Sequence, residues 1–208
     1  IMTNSSQGNL FIVTAASGAG KTSLVKAILK NNPNLELSIS FTTRTPRPGE
    51  VDGVDYRFIN KKSFNEMQQQ GIFLETAECH GAFYGTSKET ILEAIKLGKD
   101  IILEIDWQGA FSVKKIYQDA ISIFILPPSI KALEERLKKR GQDSKETISK
   151  RLSAAKDEMS HLEKFDYVTI NDDFDCALKE LEAIIMSKTL KTHKQLHRHH
   201  ALINELRK

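Results

Sequence analysis

No apolar run in this 208-residue chain approaches the roughly twenty residues that span a bilayer, and no basic stretch followed by a long apolar segment opens it. Membrane insertion and secretion are therefore not expected. Cysteine is scarce: the two present, Cys79 and Cys176, lie far apart with no C-x-x-C spacing. That excludes a disulfide scaffold and fits a reducing compartment, so a cytoplasmic location is expected. Neither sign of charge dominates, with 30 Lys and Arg against 27 Asp and Glu for a net +3, too little to make nucleic acid the expected main partner. Internal repeats and low-complexity linkers are missing as well. The length suffices for one large domain or two small ones with a real core.

What is present begins with an alternation. Apolar runs at 9–16, 100–106, 120–126 and 167–170 are each followed by helical spacing, at 21–30, through Ala110, Val113 and Ile116, at 129–139 and 144–162, and from Asp173 onward. Strand–helix alternation of this kind predicts an α/β fold with a parallel sheet covered on both faces. Residues 37–98 break the rhythm with short alternating stretches separated by Pro46, Pro48, Gly49 and Gly53. They read as a small mixed or antiparallel insertion. The division expected is a core of 1–36 and 99–190, an insertion of 37–98, and an extension of 191–208.

Between the first strand and the first helix stands TAASGAGKTSL, residues 14–24. It satisfies G-x-x-x-x-G-K-[ST] except that Ala15 replaces the opening glycine. Successive backbone N–H groups running into a helix N-terminus make an anion cradle. Lys21 would reach the β- and γ-phosphates, and the Thr22 hydroxyl would ligate Mg²⁺. Ala15 adds only a methyl group provided its φ stays negative. A glycine-rich turn with an exposed lysine is the plainer reading of the same residues. A GTPase is disfavoured on two grounds: no D-x-x-G switch is read after an apolar strand, and the N-K-x-D base reader is missing, since Asn60-Lys61-Lys62-Ser63 lacks the aspartate.

The insertion carries Arg44 and Arg47 on a loop stiffened by Pro46 and Pro48. Arginines so placed suit bidentate capture of a second phosphate, with Tyr56 and Tyr84 as hydroxyl donors, although two solvated arginines fit the spacing equally. DIILEID places Glu104 and Asp106 at i, i+2 at the carboxyl end of a strand, where α/β folds bind ligands. Arg136 and Arg140 are spaced i, i+4 on one helix.

The run S-x-T-T-R-x-P-R-x-G-E from Ser40, then G-x-D-Y, F-x-E, G-x-x-Y-G, I-L-E-I-D-W-Q-G, R-L-x-x-R-G, K-R-L and the late N-D-D resemble the guanylate kinase family over roughly residues 9–190. The resemblance implies a Mg²⁺-dependent transfer of the ATP γ-phosphoryl group to GMP, in a P-loop three-layer fold with a helical lid at about 129–160. It places Ala15, Ala16, Ser17, Gly18, Ala19, Gly20, Lys21, Thr22, Ser23 and Asn171 at ATP. It places Ser40, Arg44, Arg47, Tyr56, Glu75, Tyr84, Thr86, Glu104 and Asp106 at GMP, with Arg44, Arg47, Tyr56 and Tyr84 on its phosphate. Arg136, Arg140 and Arg151 match the lid arginines and join Lys21 and Arg44 in catalysis. Asp106 would anchor Mg²⁺ through water. Family members often have Asp where Glu104 stands.

The physics agrees. Guanine presents N1–H and N2–H₂ side by side, and one carboxylate, Glu75, can accept from both; on local pattern alone it also reads as a strand-surface acid. ATP and GMP are thus the expected partners, with neither nucleic acid nor membrane. The competing readings are a catalytically silent phosphopeptide-binding relative and a kinase for another nucleotide. The tail 191–208 lies beyond the resemblance and holds His193, His197, His199 and His200. The i, i+4 pair His193 and His197 could hold a metal, or the stretch is a solvated helical extension.

Overall fold

The computed structural model describes residues 7–79, 81–139 and 144–208. In chain order they form β1 (Leu10–Ala15), α1 (Lys21–Asn31), β2 (Leu35–Leu37), β3 (Phe41–Thr42), β4 (Arg57–Phe58), α2 (Lys61–Gln69), β5 (Phe73–Cys79), β6 (Ala82–Ser87) and α3 (Lys88–Lys96). There follow β7 (Asp100–Glu104), α4 (Trp107–Ile116), β8 (Ile121–Leu126), α5 (Ile130–Lys139), α6 (Lys145–Met159), β9 (Tyr167–Ile170), α7 (Phe174–Thr189), α8 (Thr192–Arg198) and α9 (His200–Leu206).

Among the described residues, five strands in the order β2-β7-β1-β8-β9 make the main sheet, every pairing parallel. Its central strands are mostly apolar because helices cover both faces. The pleat sends Phe11 and Val13 of β1 to one side, where α1 contributes Leu24 and Ile28 and α7 contributes Leu181 and Ile185. It sends Leu10 and Ile12 to the other, against Ile91 of α3 and Ala110 and Val113 of α4. A third cluster seats Leu133 and Leu137 of α5 with Ile148 and Ala155 of α6 against Ala16.

One expectation needs correcting. The apolar run 167–170 reads as a buried strand, but β9 is the sheet edge, with Val168 41% and Ile170 55% exposed and only Thr169 turned fully inward.

The second sheet, β4-β3-β6-β5, is mixed: β3 pairs β4 parallel, while β6 pairs β3 and β5 antiparallel. Its floor is aromatic. Phe64 of α2, fully buried, stacks on Phe73 with ring centroids 4.7 Å apart, and Phe41 and Phe83 close the group. A register shift between Phe73 and Glu75 puts Glu75 directly opposite Thr86. Such a bulge re-aims side chains, and here Leu74 drops into the main core while Glu75 faces the cleft between the sheets.

The C-terminal α8 is tied down through Lys194, whose ammonium donates to the Gln7 carbonyl and to Asn9 Oδ1, each at 2.8 Å. Asn9 in turn donates to the buried Asp100 carboxylate through its backbone N–H and its side chain, at 2.6 and 2.8 Å. No helix of the described residues is long and apolar enough to cross a membrane.

Candidate active site

Helix α1 begins bare. Its N-cap is Gly20 at φ 99°, a left-handed conformation that offers no side chain to the first turn. Helices α2, α3, α4, α6 and α7 are each closed by a side-chain oxygen, from Asn60, Ser87, Asp106, Ser144 and Asp173. The orphan N–H groups of α1, together with the Gly18 turn at φ 96°, are thereby left for an anion. Ala15 is the last residue of β1, paired with Ile125, so its backbone is extended and requires no glycine.

The turn is held from behind by a clamp. Asn171 Nδ2 donates to the Ala19 carbonyl at 2.7 Å, Arg136 donates to the same oxygen at 3.3 Å, and Arg136 also donates to the Asn171 carbonyl at 3.0 Å. With the Ala19 carbonyl held outward, the next peptide N–H, that of Gly20, turns inward to the cradle. A Cβ on Gly20 would run into Asn171 Nδ2, so this glycine is demanded twice.

In front of the turn lies a cleft of about 230 Å³. Lys21, Thr22 and the turn from Ala15 to Gly20, Ala19 excepted, form one wall. Arg44, Arg47, Tyr56 and Tyr84 line the same cleft, together with Ser40, Glu75, Glu104 and Asp106. Residues more than sixty positions apart in sequence thus share one space, because β7 lies next to β1 and the second sheet folds over the carboxyl ends of both.

Charge in the cleft is organised. Arg44 donates to Glu50 Oε1 at 2.8 Å and lies over the Tyr56 ring, while Glu50 Oε2 accepts the Arg47 backbone N–H at 2.7 Å. Glu50 therefore clamps the loop that presents both arginines; against the opposing effect of burial, Arg44 holds its carboxyl below the usual range. Burial and the nearby Glu104 push the Tyr56 hydroxyl up to about 12, so it stays a neutral donor. Glu75 is 6% exposed and accepts from Thr86 Oγ1 at 2.6 Å. Burial raises its pKa to about 7, the Thr86 hydrogen bond opposing and the Asp106 charge assisting. Glu104 Oε1 is buried without a partner.

Not every expected residue stands at this cleft. Thr86 is fully buried behind Glu75, and Ala19 lies within the turn at 0% exposure. Ser23, Arg136 and Asn171 line a second hollow that shares Gly18 and Gly20 with the cleft, with Lys139, Asp172 and Phe174. Arg136 braces the turn through the Ala19 and Asn171 carbonyls and lines this second hollow. Arg151 lies on α6 and lines neither space. Arg140 lies outside the described residues. Asp106 is not on the strand: β7 ends at Glu104, and Asp106 caps α4 by accepting the Gly109 N–H at 2.8 Å.

Sequence reasoning also missed lining residues. Glu158, on the last turn of α6, reaches the cleft beside Ser17, with one oxygen buried and unpartnered. Its signal was its place seven residues after Arg151, on the same helix face. Ala77, Cys79 and Ile105 complete the lining without any local pattern that announces them. Gly109 was signalled by Asp106-Trp107-Gln108-Gly109, a D-x-x-G tetrapeptide at the end of an apolar strand. The case against a GTPase therefore rests on the absent base reader.

Comparison with known proteins bears on this geometry directly. Residues 7–188 match the family model described as guanylate kinase. The chain belongs to the guanylate kinase family. A guanylate kinase of Methylobacillus flagellatus is 57% identical over 200 residues, covering 96% of this chain and 99% of that protein. One from Thiobacillus denitrificans is 54% identical over 203 residues, covering 98% and 97%. The crystal structure of guanylate kinase from Anaplasma phagocytophilum superposes with a TM-score of 0.75 at 32% identity, over 90% of this chain and 89% of that one. The family's mixed α/β architecture with a parallel central sheet is the architecture described above.

Proposed function

We propose that this chain transfers the γ-phosphoryl group of ATP to GMP or dGMP, giving ADP and GDP, and that it does so in the cytoplasm. One observation carries the reading: the bare start of α1 and the Arg44–Arg47 loop line a single cleft. Donor and acceptor phosphates bound there meet without an intermediate carrier.

Phosphoryl transfer through a loose transition state calls for alignment and for positive charge around the moving group, with little acid–base work. The N–H groups of residues 15–20 hold the donor phosphates, and Lys21 follows the transferred group. Arg44 and Arg47 grip the acceptor phosphate as planar forks, with the Tyr56 and Tyr84 hydroxyls donating beside them. Glu75, steadied by Thr86, accepts the paired donors of guanine, and Ser40 lies alongside. The unpartnered Glu104 oxygen takes a ribose hydroxyl. Asn171 and Arg136 keep the phosphate turn in shape, and Arg151 comes into play as α5 and α6 close over the nucleotide.

The cleft fits Mg²⁺ by the chemistry of its donors. The Thr22 hydroxyl would ligate the ion, and the Asp106 carboxylate, oriented by the Gly109 N–H, would hold it through water; both offer hard oxygen at the cleft. Among the described residues no group of three or more His, Cys, Asp or Glu could hold a metal. The remaining ligands would accordingly be phosphate oxygens and water. Bound there, the ion would screen the charge shared between the β- and γ-phosphates.

A coupled assay for ADP with GMP, dGMP, AMP and UMP tests the assignment. Turnover with GMP and dGMP well above the others is expected, and turnover preferring AMP or UMP overturns it. Lys21→Met should lower kcat by about 10²-fold or more while GMP binding persists; near-normal kcat removes Lys21 from the chemistry.

A further inference from the structure

Gly109 is the third residue of α4, in a position where glycine costs about 1 kcal/mol relative to alanine. Its backbone φ is not in the left-handed region, so conformational freedom does not explain it. Its surroundings do. A Cβ built on Gly109 would stand 2.9 Å from Glu75 Oε2, 3.3 Å from Glu75 Cδ and 3.3 Å from Asp106 Oδ1. The carboxylate of Glu75 therefore rests on the bare Cα of α4, while its other oxygen is held by Thr86 at 2.6 Å.

We propose that Gly109 is a specificity-positioning residue: its missing side chain is the space in which the Glu75 carboxylate lies when it meets the guanine edge. The inference rests on the reading of Glu75 as the group that accepts from the base. An alanine at 109 displaces only the far end of a flexible side chain, so folding hardly notices, and alanine is the better helix former. Recognition is less forgiving. Two parallel hydrogen bonds need both carboxylate oxygens in one plane at one depth, and a shift of a few tenths of an ångström lengthens or bends at least one of them. Thr86 anchors one oxygen, so the carboxylate cannot retreat as a rigid unit. Its yielding motion is a rotation, which tilts the pair out of the base plane.

The same methyl would also approach Asp106, so the experiment separates the two neighbours. Gly109→Ala, Glu75→Ala and the double variant are compared by steady-state kinetics with GMP, AMP and ATP, by Mg²⁺ dependence and by thermal melting. In Gly109→Ala, Tm should be unchanged or higher, and KM for ATP and the Mg²⁺ requirement should stay within about twofold. The kcat/KM for GMP should fall about tenfold, mostly through KM, with a matching loss of preference over AMP. In the Glu75→Ala background the added methyl meets no carboxylate and should cost less than about twofold further. An equal loss in both backgrounds, or a shift in Mg²⁺ dependence with GMP preference intact, overturns the proposal. If Glu75→Ala itself keeps its GMP preference, the reading of Glu75 falls. If Glu75→Ala loses it but Gly109→Ala does not, only the role of Gly109 falls.

Discussion

Lowering the pH from 8 to 6 should cost the enzyme roughly nine-tenths of its preference for GMP over AMP. Glu75 is 6% exposed, has Thr86 as its hydrogen-bond donor and faces the like charge of Asp106. Burial, the largest influence, lifts its pKa to about 7. Only the ionised form accepts both guanine donors; the protonated form offers its own O–H, which suits the acceptor N1 of adenine instead. The ionised fraction falls about tenfold between pH 8 and pH 6, and the kcat/KM ratio for the two nucleotides should follow it, because kcat/KM reports the free enzyme. Titration of the nucleotide phosphate is common to GMP and AMP and cancels in the ratio. In Glu75→Gln the ratio should be low and flat with pH. A wild-type ratio that is level from pH 6 to pH 8 refutes the argument, either because Glu75 is ionised throughout or because another group reads the base. The same shift has a consequence for stability. A carboxyl whose folded pKa is raised holds its proton more tightly in the native state than in the unfolded chain. Its destabilising contribution therefore grows as pH rises from about 4.5 to about 7 and is constant above that. At pH 8 it amounts to roughly 3 kcal/mol, so Glu75→Gln should melt several degrees higher than wild type while losing its selectivity.

Other consequences are sharper in some assays than in others. Asn171→Ala removes the 2.7 Å bond that holds the Ala19 carbonyl outward; ATP affinity by calorimetry should fall about tenfold with GMP affinity unchanged, and unaltered ATP binding would show that the turn keeps its shape unaided. Leu133→Ala empties a fully buried position packed against Gly18 and should cost about 2–5 kcal/mol in urea denaturation; a loss below about 1 kcal/mol would mean that α5 collapses onto the gap. Cys176 is exposed and Cys79 half-buried in the cleft, its thiol held protonated by burial and by Asp106; a thiol reagent should modify Cys176 first, and GMP should protect Cys79 alone. Modification of Cys79 at a rate indifferent to GMP would place the acceptor nucleotide elsewhere.

The phosphate turn was legible in the sequence because it is local. A strand, two glycines and a helix start within eleven residues dictate their own backbone, and Gly18 and Gly20 adopt the left-handed conformations that only glycine takes readily. The Arg44–Arg47 loop was legible for the same reason, its prolines and Glu50 all lying within seven residues. The alternation of apolar runs with helical spacing likewise foretold a parallel sheet with both faces covered. What the pattern could not carry was juxtaposition. Val168 and Ile170 look like core residues, yet among the described residues β9 has no strand on its outer side, and burial depends on neighbours. Arg136 reads as a lid arginine from its spacing, and only the packing of α5 brings its guanidinium to the Ala19 and Asn171 carbonyls. Glu158 and Gly109 carry only short local signals, a seven-residue spacing and a D-x-x-G tetrapeptide, and their places follow from where α6 ends and from what leans on α4. Local backbone geometry is set by a few adjacent residues, so composition and spacing determine it. Which side chains meet across the cleft is set by strand order and helix packing, contacts between distant parts of the chain that exist only once it has folded.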